Sequence, residues 1–200
     1  MTDHARLRAT QDFFTARAAS WETRFPDDAP RYAQAVQELQ VPAAARAVDV
    51  GCGTGRAAVP LRAAVGPAGH VLAVDATPAM LAEARRLGRG ALAALAVADA
   101  LRLPVPAGWA AVVFAGGVLP HLDDPAAALA EWARVVCPGG VLAVFHPLSR
   151  AALAARHNHV PSDDDVLAGA RLTRLCAAAG WQVTAIDDSA ERYLALAVRV

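Results

Sequence analysis

The sequence predicts a parallel α/β sheet covered by helices on both faces. Three observations carry that expectation. Short apolar runs alternate with segments of helical period between residues 47 and 145. The strand-like runs end on polar or glycine residues, namely Asp49 with its glycines, Asp75, Asp99, Gly116 and His146. One stretch, Ala47-Val48-Asp49-Val50-Gly51-Cys52-Gly53-Thr54-Gly55, passes from an apolar run through alternate glycines into a helical pattern. Parallel sheets build ligand cradles this way. Glycine reaches φ > 0 and admits a ligand close to the backbone, and the next helix offers unpaired N–H groups.

The elements follow in order. Residues 5–18 read as a helix anchored by Leu7, Phe13 and Phe14, and Pro26-Asp27-Asp28 breaks the pattern after Trp21 and Phe25. A second helix is expected over 30–39, with Pro30 in its first turn and Tyr32, Val36 and Leu39 on one face. The period then changes. Strands are expected at 47–50, 71–74, 95–98, 110–115 and 141–145, with helices at 56–65, 78–87 and 125–136. Thr77 is the expected N-cap ahead of Pro78, and Pro138-Gly139-Gly140 is expected as a tight turn. Residues 149–158 read as helical or irregular. Ser162-Asp163-Asp164-Asp165 is an expected cap for a helix over 166–179, which Gly180 ends. Strands at 182–186 and 193–199 are joined by so short a link that they should pair antiparallel.

Composition excludes several classes. The 200 residues suit one domain with a substantial core, and 56% hydrophobic residues exclude a disordered chain. Nineteen basic and 19 acidic residues cancel, which argues against an electrostatic nucleic-acid binder. All the basic residues are Arg, so lysine Schiff-base and P-loop chemistry are absent. Cys52, Cys137 and Cys176 are scattered and odd in number, which fits a reducing cytoplasm rather than a disulfide framework or zinc ribbon. The polar stretch Met1 to Arg8 lacks a signal-peptide apolar region, and no run reaches the ~18 apolar residues a membrane span needs.

A Gly-x-Gly-x-Gly loop alone is a weak signal, and a plain strand–helix turn would explain it. Arg56 stands where a dinucleotide fingerprint needs glycine or alanine, and no Gly-Lys-Ser/Thr follows. Asp49 instead places an anion beside the loop, which suits a ligand with a positive group such as an α-amino group. Asp75 lies about twenty residues further on, where a carboxylate can accept both ribose hydroxyls. It can equally cap the helix at Pro78, and the two roles are compatible. Asp99 can accept from an adenine amino group.

Together these motifs resemble the class I S-adenosylmethionine-dependent methyltransferases of small molecules. The resemblance runs through Val48–Gly55, Val74-Asp75-Ala76-Thr77-Pro78-Ala79-Met80-Leu81, Ala98-Asp99-Ala100 and residues 129–140. It covers roughly residues 43–147, with Trp21 and Phe25 similar to that family's N-terminal lid. It implies a Rossmann-like, mostly parallel seven-stranded sheet in the order 3-2-1-4-5-7-6, the last strand antiparallel. A helical lid (1–42) would precede a core (43–200). Gly51, Cys52, Gly53 and Gly55 would lie under the cofactor's methionine part, and Asp49 would hold its amino group directly or through water. Asp75 would take the ribose, Ala76 and Met80 the adenine face, and Asp99 with the Ala100 N–H the adenine edge. The backbone at Ala115 or Gly116 would line the sulfonium.

The implied reaction transfers a methyl group from S-adenosyl-L-methionine to a small acceptor, leaving S-adenosyl-L-homocysteine. The expected setting is the cytoplasm, as a monomer or homodimer without nucleic acid or membrane. His121 and His146 are candidate general bases; each could also be a plain loop or strand-end residue. His157, His159 and Asp163–Asp165 do not form a recognisable metal-ligand spacing, and none is expected to bind metal. Residues 148–161 have no assignment; Arg150, Arg156, His157 and His159 could meet an anionic acceptor or form a solvated helix. A non-catalytic cofactor-binding protein and an NAD-type oxidoreductase are the competing readings, the second disfavoured by Arg56 and the glycine spacing.

Overall fold

A computed structural model describes residues 3–200; residues 1 and 2, at the start of the polar N-terminal stretch, lie outside the described residues. Strands β1 (Arg46–Val50), β2 (His70–Asp75), β3 (Ala94–Val97), β4 (Ala110–Gly116), β5 (Val136–His146), β6 (Trp181–Asp188) and β7 (Tyr193–Arg199) form one sheet. Its order is β3-β2-β1-β4-β5-β7-β6. The first five strands run parallel, and β7 runs antiparallel to both β5 and β6. The seven-stranded arrangement and its antiparallel closing strand are those the sequence implied.

The helices are α1 (Asp3–Thr15), α2 (Trp21–Arg24), α3 (Ala29–Glu38), α4 (Ala58–Val65), α5 (Pro78–Arg86), α6 (Pro125–Val135), α7 (Arg150–Arg156) and α8 (Gly169–Ala178). Strand alternation divides the core into two layers. Val48, Val50, Val113 and Ala115 face Leu129, Trp132 and Trp181. Ala47, Val112, Phe114 and Phe145 face Val36 and Leu61. A strand buried on both faces needs apolar residues at every position, which is why β1 and β4 read as continuous runs rather than alternating ones. After the exposed Arg46 that opens β1, Asp49 is the exception among its buried positions, and only 2% of it is exposed.

Four local expectations are corrected. The helix expected from residue 56 starts at Ala58, because turns continue through Gly51–Ala57 and Arg56 is drawn into ion pairs described below. Thr77 occupies the N-cap position of α5 but makes no side-chain cap; its N–H donates instead to Asp75 Oδ1 at 2.7 Å. The helix expected from 166 begins at Gly169. The residues before it close their own turn, in which Ser162 N–H donates to Asp165 Oδ2 at 2.9 Å. The 138–140 turn lies inside β5 as an irregularity: Ala110 pairs with Val136, then Val112 with Val141. Residues 150–156 are helical, with Ser149 Oγ accepting the Ala152 N–H at 3.1 Å.

Two buried tryptophans tie α6 to its neighbours. Trp181 Nε1 donates to the Leu129 carbonyl at 2.9 Å, and Trp132 Nε1 to the Ala100 carbonyl at 3.0 Å. The second bond fixes the chain just beyond β3, where a ligand site is expected. Trp132→Phe keeps most of the apolar volume but leaves the Ala100 carbonyl without this donor. It should lower stability by about 1–3 kcal/mol in urea unfolding; an unchanged midpoint would refute the role given to that bond.

Candidate active site

The carboxyl ends of β1, β2, β4 and β5 open into one cavity of about 760 Å³, a size suited to a cofactor and a small acceptor. The glycine loop forms its floor. Gly51 has φ +64°, and a Cβ there would stand 2.5 Å from Val118 Cγ2, so only glycine fits. Gly53 has φ +54° with open space where a Cβ would be. Asp75 locks the loop in place: its Oδ2 accepts the Gly53 N–H at 2.8 Å and its Oδ1 the Thr77 N–H at 2.7 Å. Each oxygen keeps acceptor capacity toward the cavity. Burial pushes the Asp75 carboxyl up, and the two backbone N–H groups work against that.

The structure distributes the expected cofactor residues unevenly. Gly51, Cys52, Gly53, Asp75, Ala76, Met80, Asp99, Ala100 and Gly116 all line the cavity. Asp99 Oδ1 accepts the Leu101 N–H at 2.9 Å, which orients its carboxylate. Three expected residues stand off the wall. Gly55 is buried behind the loop, where a Cβ would meet Arg89 Cδ at 3.3 Å. Ala115 is fully buried in the core; the wall at the end of β4 is Gly116, Gly117 and Val118. Strand alternation explains this, since the residue before the strand end points into the helix layer. Asp49 also lies behind the wall. Its Oδ2 has no hydrogen-bond partner among the described residues. Burial, with the Asp75 charge adding to it, pushes its carboxyl up to about 8. Burial likewise pushes the Cys52 thiol well up, so it is no thiolate nucleophile.

The far end of the cavity is aromatic and basic. Trp21 and Phe25 line it, 4.9 Å apart between ring centroids, and Phe14 packs edge-on against His121 at 5.4 Å. Desolvation lowers the His121 imidazole below its ordinary value, and the His157 charge adds to this. His146 is held down at about 4, chiefly by desolvation. His146 Nδ1 is engaged by the Leu148 backbone, lying 3.0 Å from its N–H and 3.2 Å from its carbonyl oxygen, which leaves Nε2 for the cavity. His157 also lines the cavity, whereas Arg150 and His159 line a neighbouring one. Among the described residues no group of three or more His, Cys, Asp or Glu is placed to hold a metal ion, and no helix is long and apolar enough to cross a membrane.

Sequence reading missed the charge network that closes this cavity. Glu22 on α2 accepts from Thr54 Oγ1 at 2.5 Å and from Arg56 Nε at 3.1 Å, and pairs with Arg89 at 3.0 Å. Arg56 also pairs with Asp28 at 2.8 Å, and Arg89 Nη1 donates to the Thr54 carbonyl at 2.7 Å. Burial would raise the Glu22 carboxyl, but hydrogen bonds from Arg89 and Thr54 and the two arginine charges outweigh it and hold it at about 2. Arg56 was visible in sequence only as a departure from the dinucleotide pattern. Glu22 lies 34 and 67 residues from its arginine partners, beyond any local pattern.

A methyltransferase-domain family model matches residues 48–144, which span the glycine loop to β5. Trans-aconitate 2-methyltransferase of Methylobacterium radiotolerans is 36% identical over 84% of this chain and 58% of its own length. Through these residues the chain is similar to the class I S-adenosylmethionine-dependent methyltransferases. A ubiquinone/menaquinone biosynthesis C-methyltransferase of Cupriavidus metallidurans is 33% identical over 50% of this chain and 42% of its own length. The chain thus spans about half the length of these curated relatives. An S-adenosylmethionine-dependent methyltransferase from Aquifex aeolicus shares the fold, with TM-score 0.76 and 19% identity over 93% of this chain and 98% of that one. The residues present fit the family's cofactor. The space over Gly53, the fixed Asp75 carboxylate and the unpartnered Asp49 Oδ2 suit a ligand with hydroxyl donors and a cationic group.

Because the folded-state value of Glu22 is depressed, its contribution is complete above about pH 5 and is lost as pH falls toward 2. Glu22→Gln should therefore lower stability by about 1 kcal/mol at neutral pH, a figure discounted for solvent screening of a carboxylate whose side chain is 29% exposed. The gap from wild type should close on acidification. A gap independent of pH between 2 and 6 would show that the carboxylate charge is not what holds α2 to the glycine loop.

Proposed function

We propose that the chain transfers a methyl group from S-adenosylmethionine to a small-molecule acceptor. The observation that carries this is Asp75, fixed by Gly53 and Thr77 N–H groups at the edge of the glycine loop and open to the cavity. Asp75 would accept the ribose hydroxyls, Ala76 and Met80 would pack on the adenine, and Asp99 with the Ala100 N–H would read its edge. Gly51, Cys52 and Gly53 would lie beneath the methionine part, with the Gly116 backbone beside the sulfonium. Asp49 would reach the amino group through water, since it stands behind the wall. Bound S-adenosylmethionine supplies an activated methyl group for in-line displacement.

The chain then has to hold the acceptor in line, exclude water and, for a protonated acceptor, take up a proton. Orientation alone can supply about 7–11 kcal/mol of the barrier. Trp21 and Phe25, held over the cavity by the Glu22 network, would exclude water. The two histidines differ. His146 has Nδ1 engaged by the Leu148 backbone, so it would orient the acceptor through Nε2. His121, held below its ordinary value by desolvation and without such a bond among the described residues, would be the base.

Calorimetry with S-adenosylhomocysteine and NAD, followed by transfer of labelled methyl to a panel of small acceptors, tests the reading. Binding of the first ligand and label transfer are expected. NAD binding instead would overturn the family's cofactor for this chain, and binding without transfer to any acceptor would make it a binder only. Asp75→Ala should weaken S-adenosylhomocysteine binding roughly 10- to 100-fold, from the loss of hydrogen bonds to a charged acceptor. Asp49, with a folded value of about 8, is mostly protonated at pH 7 in the ligand-free chain. A cation nearby favours its carboxylate, so cofactor binding at pH 7 should release up to about one proton. Buffer-dependent calorimetric heats measure this, and Asp49→Asn should abolish it.

A further inference from the structure

Two arginines flank the Phe25 ring, with guanidinium carbons 5.9 Å (Arg56) and 5.3 Å (Arg156) from its centroid. They differ in what their donors do. Arg56 is consumed by Glu22, Asp28 and the Trp21 carbonyl. Arg156, at the end of α7, lines the same cavity, yet it forms neither a hydrogen bond nor an ion pair among the described residues. The other cavity-lining arginines at this end have spent a donor: Arg17 on the Phe13 carbonyl and Arg24 on Ser20 Oγ. A guanidinium stacked on an aromatic face keeps its in-plane N–H fork free, and that fork matches a carboxylate bidentately. The carboxylates nearby are already engaged. Asp28 is ion-paired with Arg56 at 2.8 Å, and Asp124 accepts the Ala127 N–H at 2.8 Å to cap α6.

Resting on the methyl-transfer reading, we infer that the acceptor carries a carboxylate and that Arg156 binds it. The charge is placed for this. Arg156 lines the same cavity as His146 at the end of β5, so an anion held by it shares that space with the imidazole. Phe14, Leu122 and Leu153 give the rest of the acceptor an apolar wall. Arg156 is thus a specificity residue that sets which molecule is held, apart from the groups that hold the cofactor.

The test uses the full chain saturated with S-adenosylhomocysteine and a matched probe pair, 4-hydroxycinnamate and its amide, titrated by calorimetry. The carboxylate should bind roughly 10- to 100-fold more tightly than the amide, the range for a hydrogen-bonded charge pair. Arg156→Gln should erase that preference while leaving S-adenosylhomocysteine affinity unchanged, and Arg156→Lys should keep part of it. Equal binding of the two probes, binding of neither, or a preference that survives Arg156→Gln overturns the inference and leaves the cofactor reading intact. Failure of S-adenosylhomocysteine itself to bind overturns the methyl-transfer reading first.

Discussion

The site depends on one carboxylate. Asp75 ends β2, and its two oxygens accept backbone N–H groups from two different elements, the glycine loop at Gly53 and the start of α5 at Thr77. The bond to Gly53 joins residues 22 positions apart and holds the loop in a conformation with φ positive at Gly51 and Gly53. A loop so rich in glycine is costly in chain entropy to order. The Asp75 bonds offset part of that cost and leave one acceptor face of the carboxylate for a ligand. Binding geometry and loop order therefore come from the same group.

Around that point the cavity is divided by charge. Asp75, Asp99 and the buried Asp49 lie at one end, where they suit a ligand with hydroxyls and a cationic centre. Histidines and arginines lie at the other, beneath Trp21 and Phe25. Burial and the Asp75 charge push the Asp49 carboxyl toward its neutral form, so the site by itself avoids two adjacent buried negative charges. The opposite end is kept from excess positive charge in a similar way. His121 and His146 are both pushed toward the neutral form, and Arg56 and Arg89 are neutralised by Glu22 and Asp28. Arg156 faces the cavity without a hydrogen bond or ion pair among the described residues.

The roof is attached by polar contacts as well as packing. Glu22 gathers Thr54, Arg56 and Arg89, which come from the glycine loop and the turn after α5. Fixing two long arginine side chains costs rotamer entropy. A shared carboxylate lowers that cost for each bond, because the second arginine meets a group already ordered by the first. The same contacts that close the cavity also brace the floor from behind, so roof and floor are coupled.

The sequence by itself determined the sheet, its closing antiparallel strand and the line of polar residues at the strand ends. Those features follow from local periodicity and from glycine chemistry: β1 and β4 are apolar at nearly every position because both faces are buried, and Gly51 is required by a positive φ and by Val118. It marked Asp75 correctly as a strand-end carboxylate facing the cavity, but not the two backbone donors that hold it. Only the tertiary structure decided which residues reach the cavity wall. Gly55 and Asp49, expected beside the ligand from the resemblance, stand behind it, and of the Ala115 or Gly116 backbone expected at the sulfonium it is Gly116 that lines the cavity. Glu22 carried no local signal at all, and Arg156 was marked only as one of several basic residues that could meet an anion. Their roles arise from charges brought together across long stretches of chain, and such pairings exist only once the fold has set the distances.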